Sequence, residues 1–416
     1  MKLFKSFSRR SLFQTGIGSL AGGLLSGKAD AVRAAPAPQQ ANVYQRLGVR
    51  TVINAVGTLT TLGGSLMPEA VKQAMVEASG HFVPIHELQA AVGRRLAELT
   101  GAEAAFVTAG ASAALCLATC AVTAGSDPKK MDQLPDLNGM KSEIIIQRLD
   151  RNPFDHAFRM VGVKLVEVET AAEVSRALNA RTAAVAYVQS HFSLDHQIEL
   201  ARMIELAHAA GVPLILDAAA ELPPAENLSR FVRMGADLVA FSGGKNLRGP
   251  QCSGLLLGRK ELVEAAYANS SPHTRFGRIA KVGKEQIVGL LTAVELYLSQ
   301  DHEVQRRERT EMLNRVADKL KGLPTVHTEF VPNGDYSHSP RLSVQWDAEK
   351  LRLTVSQMIE LLRSGTPSIE ASNMADYRPP WKGLGLLPHN LQPGEELIVA
   401  RSIEEILTQS AHKNGR

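Results

Sequence analysis

The sequence predicts an α/β domain, a mostly parallel seven-stranded sheet with helices on both faces, followed by a smaller C-terminal α+β portion. Three observations carry this. Short β-rich apolar runs alternate with helical patterns between residues 104 and 257, the mark of parallel strands joined by helical crossovers. The last two runs are joined by only ten residues, Gly243 to Cys252, too few for such a crossover, so that pair is expected to be antiparallel. After Lys260 the pattern shifts to a long helical region, about Gly283 to Gly322, and then to short mixed elements.

Taken in order, the strands are expected at Ala104 to Thr108, Ile144 to Gln147, Leu165 to Val168, Ala183 to Val188, Leu214 to Asp217, Leu238 to Ser242 and Ser253 to Leu257. Among the helices, Glu199 to Ala210 closes on Gly211-Val212-Pro213, a stop signal followed directly by a strand. In the C-terminal portion Arg341 to Trp346 and Leu397 to Ala400 read as strands. The domain boundary falls between 275 and 300 and is set at 281. That gives a large domain over 42–280 with an N-terminal arm, then a linking helix and small domain over 281–416.

The first 35 residues read as a separate object. A basic segment ending in Arg9-Arg10 runs into a glycine-laced apolar stretch, Leu12 to Gly27, and then into small residues and prolines, the order of a signal peptide. The paired arginines in Ser-Arg-Arg-Ser-Leu-Phe resemble a twin-arginine signal, which sends folded proteins across the bacterial inner membrane. An ordinary secretory signal is the alternative. The apolar stretch is too short and glycine-rich for a stable membrane anchor. Localisation is therefore expected to be periplasmic or exported, with cleavage near Ala34 or Ala35.

This leader changes what the charge means. Residues 1–34 hold six Lys or Arg and one Asp, a net of +5, which leaves the rest of a chain of formal charge +4 at −1. A nucleic-acid partner is not expected from that balance. The 44% hydrophobic and 21% charged content excludes wholesale disorder. Three cysteines, Cys116, Cys120 and Cys252, fit neither a disulfide framework nor a zinc site, and all three are read as small core residues.

In open α/β sheets, ligands sit beyond the carboxyl ends of the strands. "FVTAGASAAL" puts Gly110, Ala111 and Ser112 at a strand-to-helix turn, where free N–H groups and the helix dipole suit a phosphate. "LILDAAAE" ends an apolar strand on Asp217, a carboxylate that needs a partner if buried. Lys245 lies between glycines after the next strand, in "FSGGKNLRGPQ". A phosphate cradle, a strand-end carboxylate and a lysine at the following strand end are the parts of a pyridoxal 5'-phosphate site. The lysine takes the aldehyde, the carboxylate keeps the pyridine nitrogen protonated, and the helix start holds the phosphate.

At these residues the chain resembles the fold-type I pyridoxal-phosphate enzymes, specifically the selenocysteine synthase (L-seryl-tRNA(Sec) selenium transferase)-like family. Besides the lysine segment, "INAVGTLTTLGGSLMP", "LAELTGAEAAFVTAGASAAL", "ILDAAAELPP", "KVGKEQIVGLLTAVELY" and "LQPGEELIVARSIEEIL" carry the resemblance, over about residues 44–410. The family's His-Thr-Asn-Leu-Gly-Arg stretch stands here as "TTLGGS", Thr60 to Ser65, a version nearer the D-glucosaminate-6-phosphate ammonia-lyase branch.

The resemblance implies Lys245 as the lysine bonded to the cofactor and Asp217 as the partner of its ring nitrogen. Gly110, Ala111, Ser112 and Ser242 are implied phosphate contacts. His156, after the second strand, is either a group near the ring face or an ordinary loop histidine. Ser190 and His191, after the fourth, are candidates for the ring hydroxyl, and Arg275 and Arg278 for an anionic part of the substrate or a neighbouring subunit's cofactor.

The activity implied is α,β-elimination or β-replacement on an amino acid or amino sugar acid, with Lys245 removing the Cα proton. A small-molecule amino substrate and at least a homodimer are expected. Transfer of selenium to seryl-tRNA is one alternative, and an exported cofactor-binding scaffold with little turnover is another. A metal-dependent hydrolase using His191, Asp195 and His196 fits no strong ligand spacing, and no metal is expected.

Overall fold

The computed structural model describes residues 42–189, 197–331, 339–376 and 381–414. The described residues divide into two units, 42–50 and a compact unit that begins at Thr51. The first unit forms one short helix, Val43–Arg46, started by a reciprocal capping box between Asn42 and Gln45.

Within the compact unit β1 (Val52–Asn54) comes first. The large sheet follows with β2 (Ala104–Thr108), β3 (Glu143–Gln147), β4 (Lys164–Val168), β5 (Thr182–Val188), β6 (Leu214–Asp217), β7 (Leu238–Ser242) and β8 (Gly254–Gly258). Its spatial order is β2-β8-β7-β6-β5-β3-β4. The pairs from β4 across to β7 are parallel, and β8 runs antiparallel to both β7 and β2. The connection between β7 and β8, residues 243–253, thus makes a hairpin, and Lys245 rides on it.

The strands are apolar in continuous runs because both faces of the sheet are covered. Leu214 and Leu216 of β6, with Val239 and Phe241 of β7, enter a core shared with helices Ile85–Thr100, Leu200–Ala209, Asn227–Arg233 and Lys284–Ser299. The intervening Ile215, Leu238 and Ala240 enter a second core, under helices Ala111–Ala124 and Lys260–Ala268. Helix Ala111–Ala124 is apolar on nearly every side and accordingly buried. At the β2 edge Gln89 satisfies the ladder groups left without a neighbouring strand, donating to the Val107 carbonyl at 2.8 Å and accepting from its N–H at 3.1 Å.

The remaining strands are β9 (His327–Phe330), β10 (Leu342–Gln345), β11 (Ser368–Glu370), β12 (Ser372–Asn373) and β13 (Leu384–Leu386). Four of them form an antiparallel sheet in the order β12-β13-β10-β9, while β11 pairs in parallel with β1. A third core joins Ile53 and Ala55 to Leu342, Val344, Ile369 and Ile403. Residues 52–55 therefore pack with the C-terminal elements, and helix Lys284–Ser299 packs on the large sheet.

Three expectations are corrected. Leu397 to Ala400 is not a strand but part of helix Glu395–Asn414. Val399, Ala400, Ile403 and Leu407 are buried at helical spacing, a period that four residues read alone cannot display. The long helical region is two helices, Lys284–Ser299 and His302–Leu320, broken where the Asp301 carboxylate caps the N–H groups of Glu303 and Val304, each at 3.0 Å. Cys116 and Cys120 are buried as expected, but Cys252 is exposed, because it lies in the turn ahead of β8 rather than in the strand. No helix among the described residues is long and apolar enough to cross a membrane.

Candidate active site

The site starts from the pleat. Asp217 closes β6, opposite Ala240 of β7, on the face of the sheet that carries helix Ala111–Ala124. It is buried, and its Oδ1 accepts the Ala219 N–H at 3.0 Å. Burial raises its pKa above the ordinary carboxylate value, which the Ala219 N–H and the charge of Lys245 oppose.

Lys245 follows β7 in the hairpin loop and is half-buried. Burial lowers its pKa below the ordinary lysine value, against the pull of Asp217 and Glu221. The loop is held from several sides. Gly249 N–H donates to the Gly243 carbonyl at 2.8 Å, Asn246 Nδ2 to the Leu222 carbonyl at 2.6 Å, and Ser65 Oγ to the Gly244 carbonyl at 2.9 Å. Gly64, with φ +76°, approaches so closely that a Cβ there would fall 2.6 Å from the Gly244 carbonyl oxygen. Asn390 in turn donates to the carbonyls of Gly57 and Gly64, both at 3.0 Å. Residues 57–65, the lysine loop and Asn390 are thus tied together.

Helix Ala111–Ala124 begins at Gly110, whose φ is 106°, and no side chain caps it. Ala111 is half-buried, Ser112 exposed, and Ser242 half-buried at the end of β7. Gly254 lies beneath this turn, where a Cβ would fall 2.7 Å from the Ala111 nitrogen. The uncapped N–H groups, the small residues under them and the lysine–carboxylate pair suit pyridoxal phosphate in donor chemistry.

The other expected residues fall differently. His156 is exposed at the start of helix His156–Arg159, and no described hydrogen bond ties it to Lys245 or Asp217. Ser190, His191, Asp195 and His196 lie outside the described residues. Arg275 is ion-paired with Asp132 of its own chain, and Arg278 is exposed. Among the described residues no group of three His, Cys, Asp or Glu is placed to hold a metal.

Two carboxylates escaped the sequence reading. Glu221 is buried and acts electrostatically on both Asp217 and Lys245. Asp150, also buried, accepts from the Val188 N–H at 3.1 Å and adds its charge to the surroundings of Asp217. Both follow strands closely, the same positional signal that marks Asp217.

Comparison with known proteins agrees with this geometry. Residues 154–325 match the family described as L-seryl-tRNA selenium transferase. D-glucosaminate-6-phosphate ammonia lyase of Salmonella typhimurium is 32% identical over 89% of this chain and 99% of its own length. A 5'-C-glycyluridine monooxygenase-decarboxylase of a Streptomyces species is 33% identical over 88% of this chain and 92% of its own. A solved structure of D-glucosaminate-6-phosphate ammonia-lyase superposes with a TM-score of 0.76 at 31% identity, covering 90% of this chain and all of that one. The chain belongs to the selenocysteine synthase-like family of fold-type I pyridoxal-phosphate enzymes, on the side of the ammonia lyase.

Proposed function

We propose that this enzyme performs α,β-elimination on an amino acid or amino sugar acid, releasing ammonia. The observation that carries the reading is the placement of Asp217, buried at the end of β6, and Lys245, half-buried after β7, within electrostatic reach of each other, together with the uncapped start of helix Ala111–Ala124. In this reading Lys245 bonds the cofactor aldehyde and Asp217 holds the proton on its ring nitrogen. The N–H groups of Ala111 and Ser112, with Ser242, take its phosphate. Bound pyridoxal phosphate supplies an electron sink that acidifies the Cα–H bond of an attached amine. Released from the cofactor, Lys245 is kept toward its neutral form by burial, so its Nζ accepts the Cα proton as general base.

The test is ammonia release from phosphorylated amino sugar acids and β-hydroxy amino acids by purified holoenzyme, beside Lys245→Ala. Release that vanishes in the variant supports the reading, and cofactor absorbance without any release from these substrates counts against it. The similarity to the monooxygenase-decarboxylase favours a second outcome, loss of a carboxyl carbon. Carbon dioxide and oxygen uptake measured in the same reactions separate the two.

The leader supports export after folding, which suits a cofactor loaded in the cytoplasm. Replacing Arg9 and Arg10 by lysines should retain the protein in the cytoplasm, and unchanged fractionation would refute the route. Assembly into at least a dimer is part of the same proposal, tested by light scattering of the mature chain.

A further inference from the structure

β3 leaves the side of β5 before β5 ends. The ladder between them closes at Ile146 and Ala186, whereas β5 runs on to Val188, directly opposite Asp217 of β6. Past Gln147 the chain bends into a single turn, Arg148–Asp150, so the β3 ladder does not reach Val188. A backbone N–H left in such a place needs an acceptor from elsewhere.

Asp150 supplies it. Its Oδ2 accepts the Val188 N–H at 3.1 Å and the Gln147 Nε2 at 3.3 Å, while Gln147 Oε1 accepts the Ile198 N–H at 2.8 Å. Asn152 Nδ2 donates to the Asp150 carbonyl at 3.0 Å, which fixes the turn itself. Gln147 and Asp150 thus hold the end of β5 and the approach to helix Leu200–Ala209 at once. Each is only 2% exposed, so water is a poor substitute for either, and removing one leaves buried groups unpaired.

β5 carries this constraint one strand further. On its other edge the Gln189 N–H donates to the Asp217 carbonyl at 2.9 Å, so the ends of β3, β5 and β6 form one hydrogen-bonded row. β7 holds the far edge of β6, where the Ala218 N–H donates to the Ala240 carbonyl at 3.0 Å. The described hydrogen bond to the Asp217 carboxylate comes from Ala219, two residues on in the same chain. What places that carboxylate against the rest of the site is therefore the backbone of β6, and its near edge is only as fixed as the end of β5.

We propose that Asp150, oriented by Gln147, is a positioning residue for Asp217: it holds β5 from the side that β3 vacates, and β5 in turn sets where the Asp217 carboxylate stands. Groups that meet a bound cofactor must be held to within about 0.5 Å, and a buried hydrogen-bonded row reaches that precision where a free strand end does not. The proposal rests on the reading of Asp217 as the partner of the ring nitrogen. It does not depend on which reaction follows.

The test is a double-mutant cycle read as affinity for pyridoxal phosphate, titrated into apo-protein well below its melting temperature. Asp150→Ala should weaken binding about ten-fold. Asp150→Asn keeps an acceptor for the Val188 N–H and should restore most of that loss, which separates the hydrogen bond from the charge that Asp150 also brings near Asp217. In the Asp217→Asn background Asp150→Ala should cost no more than about two-fold further, because the carboxylate it places is already gone. If Asp150→Ala does not fold, Gln147→Met takes its place in the cycle, with a several-fold loss that again disappears beside Asp217→Asn.

A folded Asp150→Ala protein that melts lower yet binds the cofactor like wild type overturns the proposal, since Asp150 would then serve stability alone. So does a loss of equal size in both backgrounds, or an Asp150→Asn protein as weak as Asp150→Ala. Ammonia release does not enter the cycle, so the elimination reading can fail while this inference stands.

Discussion

Gly254 supports Gly110 so closely that a Cβ on Gly254 would come 2.4 Å from the Gly110 carbonyl carbon. One strand residue therefore sets the height of the turn that opens helix Ala111–Ala124.

Gly254→Ala should push that turn off the sheet, since the obstacle is backbone and cannot rotate away. Overpacking of this kind costs about 1–3 kcal/mol. Cofactor affinity, measured by titrating pyridoxal phosphate into apo-protein, should fall about ten-fold or more. Unchanged affinity would mean that the helix start does not hold the phosphate.

Lys245 titrates below the usual lysine value of about 10.4 because burial disfavours its charged form. In apo-protein its acylation, mapped by mass spectrometry, should rise with pH through a midpoint below that value. Asp217 works in the opposite direction, so Asp217→Asn should move the midpoint lower still. A midpoint that rises in the variant contradicts the assignment of the pair.

The same shift has a stability sign. A lysine whose folded pKa lies below its unfolded value binds fewer protons when folded, so folding stability increases as pH rises through the window between them. Lys245→Met should leave the melting temperature of apo-protein at neutral pH unchanged or raised, while abolishing activity. A large loss of stability would show that the amine makes a structural contact.

Asn390→Ala strips the donor from two carbonyls, those of Gly57 and Gly64. Since Asn390 is buried, about 1–3 kcal/mol should be lost, read from urea denaturation. Activity should fall further than stability predicts, because Gly64 and Ser65 brace the lysine loop.

Helix Glu395–Asn414 makes a discriminating pair of substitutions. Leu397 is 48% exposed and Val399 fully buried, although a strand would put both on one face. Val399→Asp should cost about 3 kcal/mol or more, and Leu397→Asp about 0.5 kcal/mol or less. Similar losses at both positions would favour the strand.

The large sheet was legible because its strands are nearly unbroken apolar runs ending at polar or glycine residues, as at Asp217 and Ser242. Lys245 was legible for the same reason: its place after such a run gave it a chemical meaning. Glu221 and Asp150 were not, since their influence on Asp217 depends on convergence in space. The pairing of β1 with β11 was hidden too, because it joins segments more than three hundred residues apart.

Gln89 meets Val107 through both a donor and an acceptor, so at that point the margin of the large sheet is already saturated. A foreign strand seeking to extend the ladder there must first break a reciprocal pair that is sealed from water. This guards the chain against growth into ribbons through this margin.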